Sequence, residues 1–139
     1  MRRIEEIIIH CSYTPPSMAV TADLIRKWHV DERGWDDIGY HFVITRTGEI
    51  QYGRPIGIQG AHVYGHNDYT IGICMAGGMA EDEKTPDCNF TRWQWEALET
   101  LVDDLTQEYG DMPVSGHRDY DANKACPCFD AREWAGELE

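Results

Sequence analysis

The segment that most restricts the fold is the apolar run near the start of the chain, residues 4–11, which reads IEEIIIHC. Its second half is continuously apolar and β-branched, a pattern typical of a strand buried inside a sheet. Because side chains alternate between the two faces of a strand, His10 projects from the same face as Ile8. We therefore expect a central strand whose carboxyl end presents a histidine.

Further strands follow at intervals. Residues 40–45 (YHFVIT) and 49–52 predict a hairpin, with Gly48 available for a left-handed turn position. Residues 70–75 (TIGICM) predict a second buried strand, and residues 112–117 are long enough for one more short strand. In the hairpin, adjacent Tyr40 and His41 face opposite sides, so only one of the two can line a given cleft.

Three helices are indicated by their capping residues. Thr21 can cap the first helix. Thr91 and Gln94 form a capping box for the second, and Asp130 with Glu133 repeats this pattern for the third. The second helix has an apolar stripe at helical spacing, made of Trp95, Leu98, Leu101, Val102, Leu105 and Tyr109. The alternation of strands and helices predicts a single α/β domain over residues 1–139, with a central mixed β-sheet flanked by helices.

Charge and composition exclude some classes of function. The net charge is −13, and the 12 basic residues are scattered, which argues against nucleic-acid binding. No stretch is apolar enough to insert in a membrane, and the start of the chain lacks the pattern of a signal peptide. The cysteine count, 5, is odd and the spacing irregular, which favours synthesis in a reducing cytoplasm.

The segment of residues 116–130, GHRDYDANKACPCFD, concentrates reactive side chains: His117, Lys124 and Cys126. Taken alone it is compatible with a metal site, a disulfide, a catalytic nucleophile or an ordinary loop. A catalytic zinc usually takes three protein ligands from His, Cys and carboxylate. His10 could complete such a set if its strand lies beside the strand that ends at His117. In an extended segment Lys124 and Cys126 would project to the same side.

Four segments together resemble one protein family: IIIHCSYT, RKWHVDERGWDDIGYHFVITRTGEIQYGR, GAHVYGHNDYTIGICMAGG and GHRDYDANKACPCFD. They resemble, in the right order and over nearly the whole chain, the zinc-dependent N-acetylmuramoyl-L-alanine amidases of the second type. That family includes short phage amidases called lysozymes and the animal peptidoglycan recognition proteins.

The resemblance implies roles for individual residues. Tyr40 and Lys124 would be catalytic, since a phenol and an ammonium suit the oxygen that becomes negative during amide hydrolysis. His62 would line the substrate cleft, and Asn67 would shape a turn. The implied Zn²⁺ ligands are His10, His117 and Cys126.

The function implied is hydrolysis of the amide between N-acetylmuramic acid and L-alanine in peptidoglycan. We expect a monomeric phage or prophage endolysin, made in the host cytoplasm and released to the cell wall at lysis; an injected antibacterial effector would look similar. Phage lysozymes of this kind also restrain their phage's RNA polymerase, and the sequence leaves such a partner open.

Three other functions compete with this one. A non-catalytic peptidoglycan-binding module of the family would lack the cysteine ligand. A cytoplasmic muropeptide-recycling amidase would have Asp as its third ligand. A redox or structural-zinc domain built around CPC would explain neither Tyr40 nor the extent of the resemblance.

Overall fold

The sheet is built from two longer buried strands and three short ones. The computed structural model describes residues 1–138 and contains β1 (Glu6–Cys11), β2 (Phe42–Ile44), β3 (Ile50–Tyr52), β4 (Thr70–Met75) and β5 (Val114–Gly116). Every residue of β1 and β4 is buried, as their apolar runs predict. The last strand is shorter than residues 112–117, because His117 already belongs to the turn that follows it.

The five strands form one sheet in the order β3-β2-β4-β1-β5. β1 lies between β4 and β5 and runs parallel to both, and β2 is parallel to β4. β3 pairs antiparallel with β2 through a tight hairpin, where Gly48 has a φ of +88°. The predicted mixed sheet is confirmed.

Three helices flank the sheet: α1 (Ala22–Lys27), α2 (Arg92–Tyr109) and α3 (Ala131–Gly136). A single π-helical turn, Trp28–Glu32, continues α1. Thr21 caps α1, and the capping box of Thr91 and Gln94 is complete in both directions. In α3 the described contacts show half of the predicted box, a bond from the Glu133 backbone N–H to Asp130.

The sheet separates two apolar clusters. The larger packs β1 side chains Ile7, Ile9 and Cys11 against α2 and α3. The smaller lies on the opposite face, where α1 covers the sheet, and its buried members are Val20, Ala22, Ile25, Ile38, Val43, Cys74 and Ala76. Strand alternation therefore turns His10 away from the larger cluster, at the position paired with Cys74 of β4. Among residues 1–138, no helix combines the length and apolar character needed to cross a bilayer.

Candidate metal centre and active-site cleft

The carboxyl ends of two neighbouring strands, β1 and β5, bring a pair of histidines together. His10 lies near the end of β1, and His117 follows β5 directly, and these two strands are parallel neighbours. Parallel strands end at the same edge of a sheet, so their terminal side chains meet. The Nδ1 atoms of His10 and His117 are 3.2 Å apart. The adjacency on which a shared metal site depends is therefore present.

Cys126 reaches the same point from the loop after β5. Its Sγ accepts a hydrogen bond from the backbone N–H of Cys11 at 3.0 Å, and its carbonyl accepts one from Arg118 at 2.8 Å. The ligand atoms of His10, His117 and Cys126 all lie within 4.8 Å of one another. In residues 1–138 this is the one group of three or more potential ligands close enough to share an ion.

The arrangement fits zinc. Two nitrogens bound to one tetrahedral Zn²⁺ at about 2.0–2.1 Å lie about 3.3 Å apart, close to the separation seen between the two Nδ1 atoms. Two imidazoles and one thiolate leave the fourth position of a tetrahedral ion open, which is the pattern of catalytic zinc sites. The donor set and its spacing therefore suit a catalytic zinc ion.

The electrostatic setting keeps the imidazoles neutral. His10 is 1% exposed, and burial, reinforced by His62 and His117, holds its pKa well below the ordinary histidine value. Burial also lowers the pKa of His117. A neutral imidazole retains the lone pair that a metal requires.

His62 lines the cleft, contacts His10 and is buried. Its Nδ1 is 2.8 Å from His10 Nε2, and its Nε2 is 3.2 Å from the hydroxyl of Thr70. Burial lowers the pKa of His62 to about 3. Asn67 Oδ1 accepts hydrogen bonds from the backbone N–H groups of His62 and Val63, both at 2.9 Å, which confirms the expected turn-shaping role of Asn67.

Tyr40 faces the cleft, whereas its neighbour His41 faces the protein interior. The ring centroids of Tyr40 and His10 are 5.0 Å apart. Burial, with a contribution from Cys74, raises the pKa of Tyr40 well above the ordinary tyrosine value. His41 Nδ1 accepts the backbone N–H of Gly72 at 3.0 Å. The Tyr40 hydroxyl therefore stays protonated and is a hydrogen-bond donor at neutral pH.

Lys124 lines the same cleft as Cys126, in a loop that contains two turns. The backbone N–H of Lys124 bonds to Asp121 at 3.0 Å, and that of Cys128 bonds to Ala125 at 2.7 Å. These bonds make two successive turns, at residues 121–124 and 125–128. Lys124 is exposed and reaches the cleft from the rim.

The cleft has a volume of about 560 Å³ and is free of acidic side chains among the described lining residues, although the chain holds 25 Asp and Glu. Its cations are Lys124 and Arg33, and the Arg33 guanidinium lies 5.2 Å from the centroid of the Trp35 ring. Arg33, Trp35 and His29 received no individual role from the sequence. The sequence feature that could have indicated them is the dense run of aromatic and charged side chains in residues 28–35, which follows neither a helical nor a strand period.

A second depression, of about 980 Å³, lies on the opposite side of the molecule between α2, α3 and β5. It is larger, yet its described lining contains neither histidine nor cysteine and is rich in carboxylates. It therefore lacks the groups that the amide chemistry requires, and the smaller cleft is the candidate active site.

Comparison with known proteins agrees with this site. Residues 1–129 match the Amidase_2 family, described as N-acetylmuramoyl-L-alanine amidase. The endolysin of Klebsiella phage KP32 is 41% identical over 129 residues, which cover 93% of this chain and 83% of the relative. The endolysin of Escherichia phage T7 is 41% identical over 130 residues, 94% of this chain and 84% of that protein.

Solved structures show the same fold. The endolysin and N-acetylmuramoyl-L-alanine amidase LysCS from Clostridium intestinale URNW superposes with a TM-score of 0.77 at 30% identity. The match covers 91% of this chain and 76% of LysCS. On the extent of both the sequence and the structural matches, this chain belongs to the N-acetylmuramoyl-L-alanine amidase family.

Proposed function

We propose that this protein is a zinc-dependent amidase that cleaves the bond between N-acetylmuramic acid and L-alanine in peptidoglycan and works as a phage endolysin. Membership of the amidase family and similarity to phage endolysins support the reaction and the setting. The observation that carries the zinc assignment is the convergence of His10 Nδ1, His117 Nδ1 and Cys126 Sγ, two of which belong to residues that line the cleft.

The ligand residues would hold Zn²⁺ through two neutral imidazoles and a thiolate. When bound, zinc supplies Lewis-acid chemistry, polarising an amide carbonyl and activating water. The protein's own part is to keep the ion at the cleft wall and leave one side open to substrate. The fixed backbone of β1 and the anchored loop at Cys126 provide that support.

Tyr40 and Lys124 act on charge that develops in the substrate. As water adds to the amide, the carbonyl oxygen becomes negative, and donors aimed at it lower the barrier. Tyr40 donates its hydroxyl hydrogen bond, and its raised pKa keeps the phenol protonated. Lys124 brings a positive charge from the rim, where the lining lacks competing carboxylates among the described residues.

The cleft also suits an anionic peptide substrate. The stem peptides of peptidoglycan carry carboxylates, and the cations Arg33 and Lys124 line a cleft within a strongly acidic protein. Like charges elsewhere on the surface would repel such a substrate, so the cleft is the favourable place for it.

The presence of Cys126 favours catalysis over the two related functions. A binding module of the family would lack this ligand, and a muropeptide-recycling amidase would carry Asp in its place. We further propose that residues 1–139 act as one catalytic domain and as a monomer, made in the host cytoplasm and acting on the cell wall at lysis.

One preparation tests the proposal. Zinc is measured by elemental analysis on the purified protein, which is then given purified peptidoglycan, and the products are read by mass spectrometry. We expect one zinc per chain and free stem peptides that begin at L-alanine. A folded, reduced protein that binds no zinc and releases no stem peptide would overturn the proposal.

A further inference from the structure

A chain of hydrogen bonds links His10, His62 and Thr70. The contacts of Thr70 fix which group in the chain donates and which accepts. The Thr70 hydroxyl lies 2.8 Å from the carbonyl oxygen of His66, which can only accept. The Thr70 hydroxyl therefore donates its one hydrogen bond to that carbonyl oxygen. Toward His62 Nε2, at 3.2 Å, Thr70 can only be the acceptor.

The proton positions on both histidines follow from this direction. His62 Nε2 must carry the proton that it donates to Thr70. A neutral imidazole has one N–H, so His62 Nδ1 is bare and accepts. The atom facing it at 2.8 Å is His10 Nε2, which must then be the donor. His10 is left with a bare Nδ1, the atom that faces His117 Nδ1 and the ligand cluster.

We propose that Thr70 and His62 are positioning residues that lock His10 in the Nε2–H tautomer, so that its Nδ1 lone pair faces the metal. The inference rests on the proposed zinc site and adds to it. Histidine ligands commonly donate their second N–H to a partner that fixes the ring, and loss of that partner typically costs about 10–100-fold in metal affinity. Here the partner is a second imidazole, itself oriented by a threonine.

His62 lines the cleft, and its contacts suit the positioning role. Both ring nitrogens already have protein partners, and its backbone N–H is held by Asn67. A Cβ atom at Gly72 would lie 2.7 Å from the His62 ring, so β4 leaves room for the imidazole only because that residue is glycine. The ring is thus confined to one orientation beside His10.

The tautomers of His10 and His62 can be determined in the wild-type protein without an activity assay. In the zinc-free, reduced wild-type protein at neutral pH, two-bond ¹H–¹⁵N correlation spectra distinguish the two imidazole tautomers. We expect both His10 and His62 as Nε2–H tautomers. Observation of His10 as the Nδ1–H tautomer would overturn the proposal, whatever the behaviour of any variant.

Zinc affinity supplies the second test, measured by competition with a chromophoric chelator. His62→Phe keeps a ring but cannot accept from His10, and should weaken zinc binding roughly 10–100-fold. Thr70→Val removes the hydroxyl at nearly constant shape and should weaken it by a smaller factor. Thr70→Ser restores the hydroxyl and should restore the affinity. Wild-type affinity in both His62→Phe and Thr70→Val would contradict the positioning role.

Different results would overturn the zinc site and the positioning role of His62. If the wild-type protein binds no zinc, the proposed cofactor is wrong, while the tautomers remain measurable. If the wild type binds one zinc and the variants bind it equally well, the metal assignment stands and the relay through His62 is wrong. Circular dichroism and thermal unfolding of each zinc-free variant show whether a weak binder is simply unfolded.

Discussion

The Sγ of Cys126 accepts a hydrogen bond from the backbone N–H of Cys11 at 3.0 Å, which ties the loop after β5 to the end of β1. Cys11 is the residue after His10, so one contact joins the segments that carry two of the three candidate ligands. The contact therefore places the sulfur beside the end of β1 that carries His10.

Cys126→Ser keeps this contact and removes the sulfur ligand. A serine hydroxyl can still accept the Cys11 N–H, but it is a poor ligand for zinc compared with a thiolate. We expect the zinc content to fall well below one per chain and amidase activity to fall at least about 100-fold, with the zinc-free fold retained. Elemental analysis, turnover of peptidoglycan and circular dichroism check this. A variant that keeps stoichiometric zinc would show that Cys126 is not a ligand.

Tyr40→Phe removes one hydroxyl from the cleft. Because that hydroxyl donates to charge formed only in the transition state, kcat should fall about 100-fold while zinc content is unchanged. Tyr52→Phe is the matched control, since Tyr52 is 76% exposed on β3 and should have wild-type kinetics. Steady-state kinetics on a soluble muropeptide measure both variants. Full turnover by Tyr40→Phe would remove Tyr40 from the mechanism.

Lys124→Gln removes a positive charge at the cleft rim. The developing oxyanion loses an electrostatic partner, so kcat/KM should fall about 10–100-fold. Lys84→Gln makes the same change in net charge within the exposed acidic segment of residues 81–88 and should leave kcat/KM within about twofold. Equal losses in the two variants would show that net charge, and not the position of Lys124, controls the rate.

Much of the fold could be predicted because local patterns decide it. The alternation of side chains placed His10 on the cleft face, and the capping residues marked the starts of all three helices. Gly48 adopts the left-handed conformation that the hairpin needs. Each of these features depends on neighbours within a few residues.

The contacts that complete the site depend on distant parts of the chain. His62 meets His10 across 52 residues, and no spacing or period in the sequence reports that contact. The loop around Lys124 forms two turns, and the hydrogen bond from the Cys11 N–H to Cys126 Sγ ties it to β1 across 115 residues. The family resemblance named the residues, but only the three-dimensional arrangement gave the order in which they touch.

His41 makes stability depend on pH. Its Nδ1 must be unprotonated to accept the Gly72 N–H, and burial, opposed only in part by a bond to the Ile58 carbonyl, lowers its pKa to about 4. An unfolded histidine has a pKa of about 6.5, so the unfolded state takes up the proton first as pH falls. The stabilising contribution is therefore complete above about pH 6.5 and is lost as the pH falls toward 4.

His41→Asn tests this contribution, since the Asn side-chain oxygen can accept the same N–H but does not titrate. Between pH 7 and pH 5 the wild type should lose about 1–2 kcal/mol more unfolding free energy than the variant. Urea unfolding with a chelator present at both pH values measures the difference and removes zinc from the comparison. Parallel pH dependence of the two proteins would show that His41 titrates normally in the folded state.

Salt should raise the rate on intact cell wall. The protein carries a net charge of −13, and the wall is anionic, so long-range repulsion slows their encounter at low ionic strength. Raising the salt from about 10 mM to about 150 mM shortens the Debye length from about 30 Å to about 8 Å, which screens this repulsion but leaves short contacts in the cleft largely intact. We expect the rate on purified sacculi to increase over this range. The rate on a short soluble muropeptide should stay constant or decrease, because Arg33 and Lys124 attract that anionic substrate and salt screens the attraction. Turbidity loss and chromatographic product release follow the two substrates. A rate on sacculi that stays constant or falls would show that surface charge does not limit the encounter, and that the cationic cleft alone governs access to the wall.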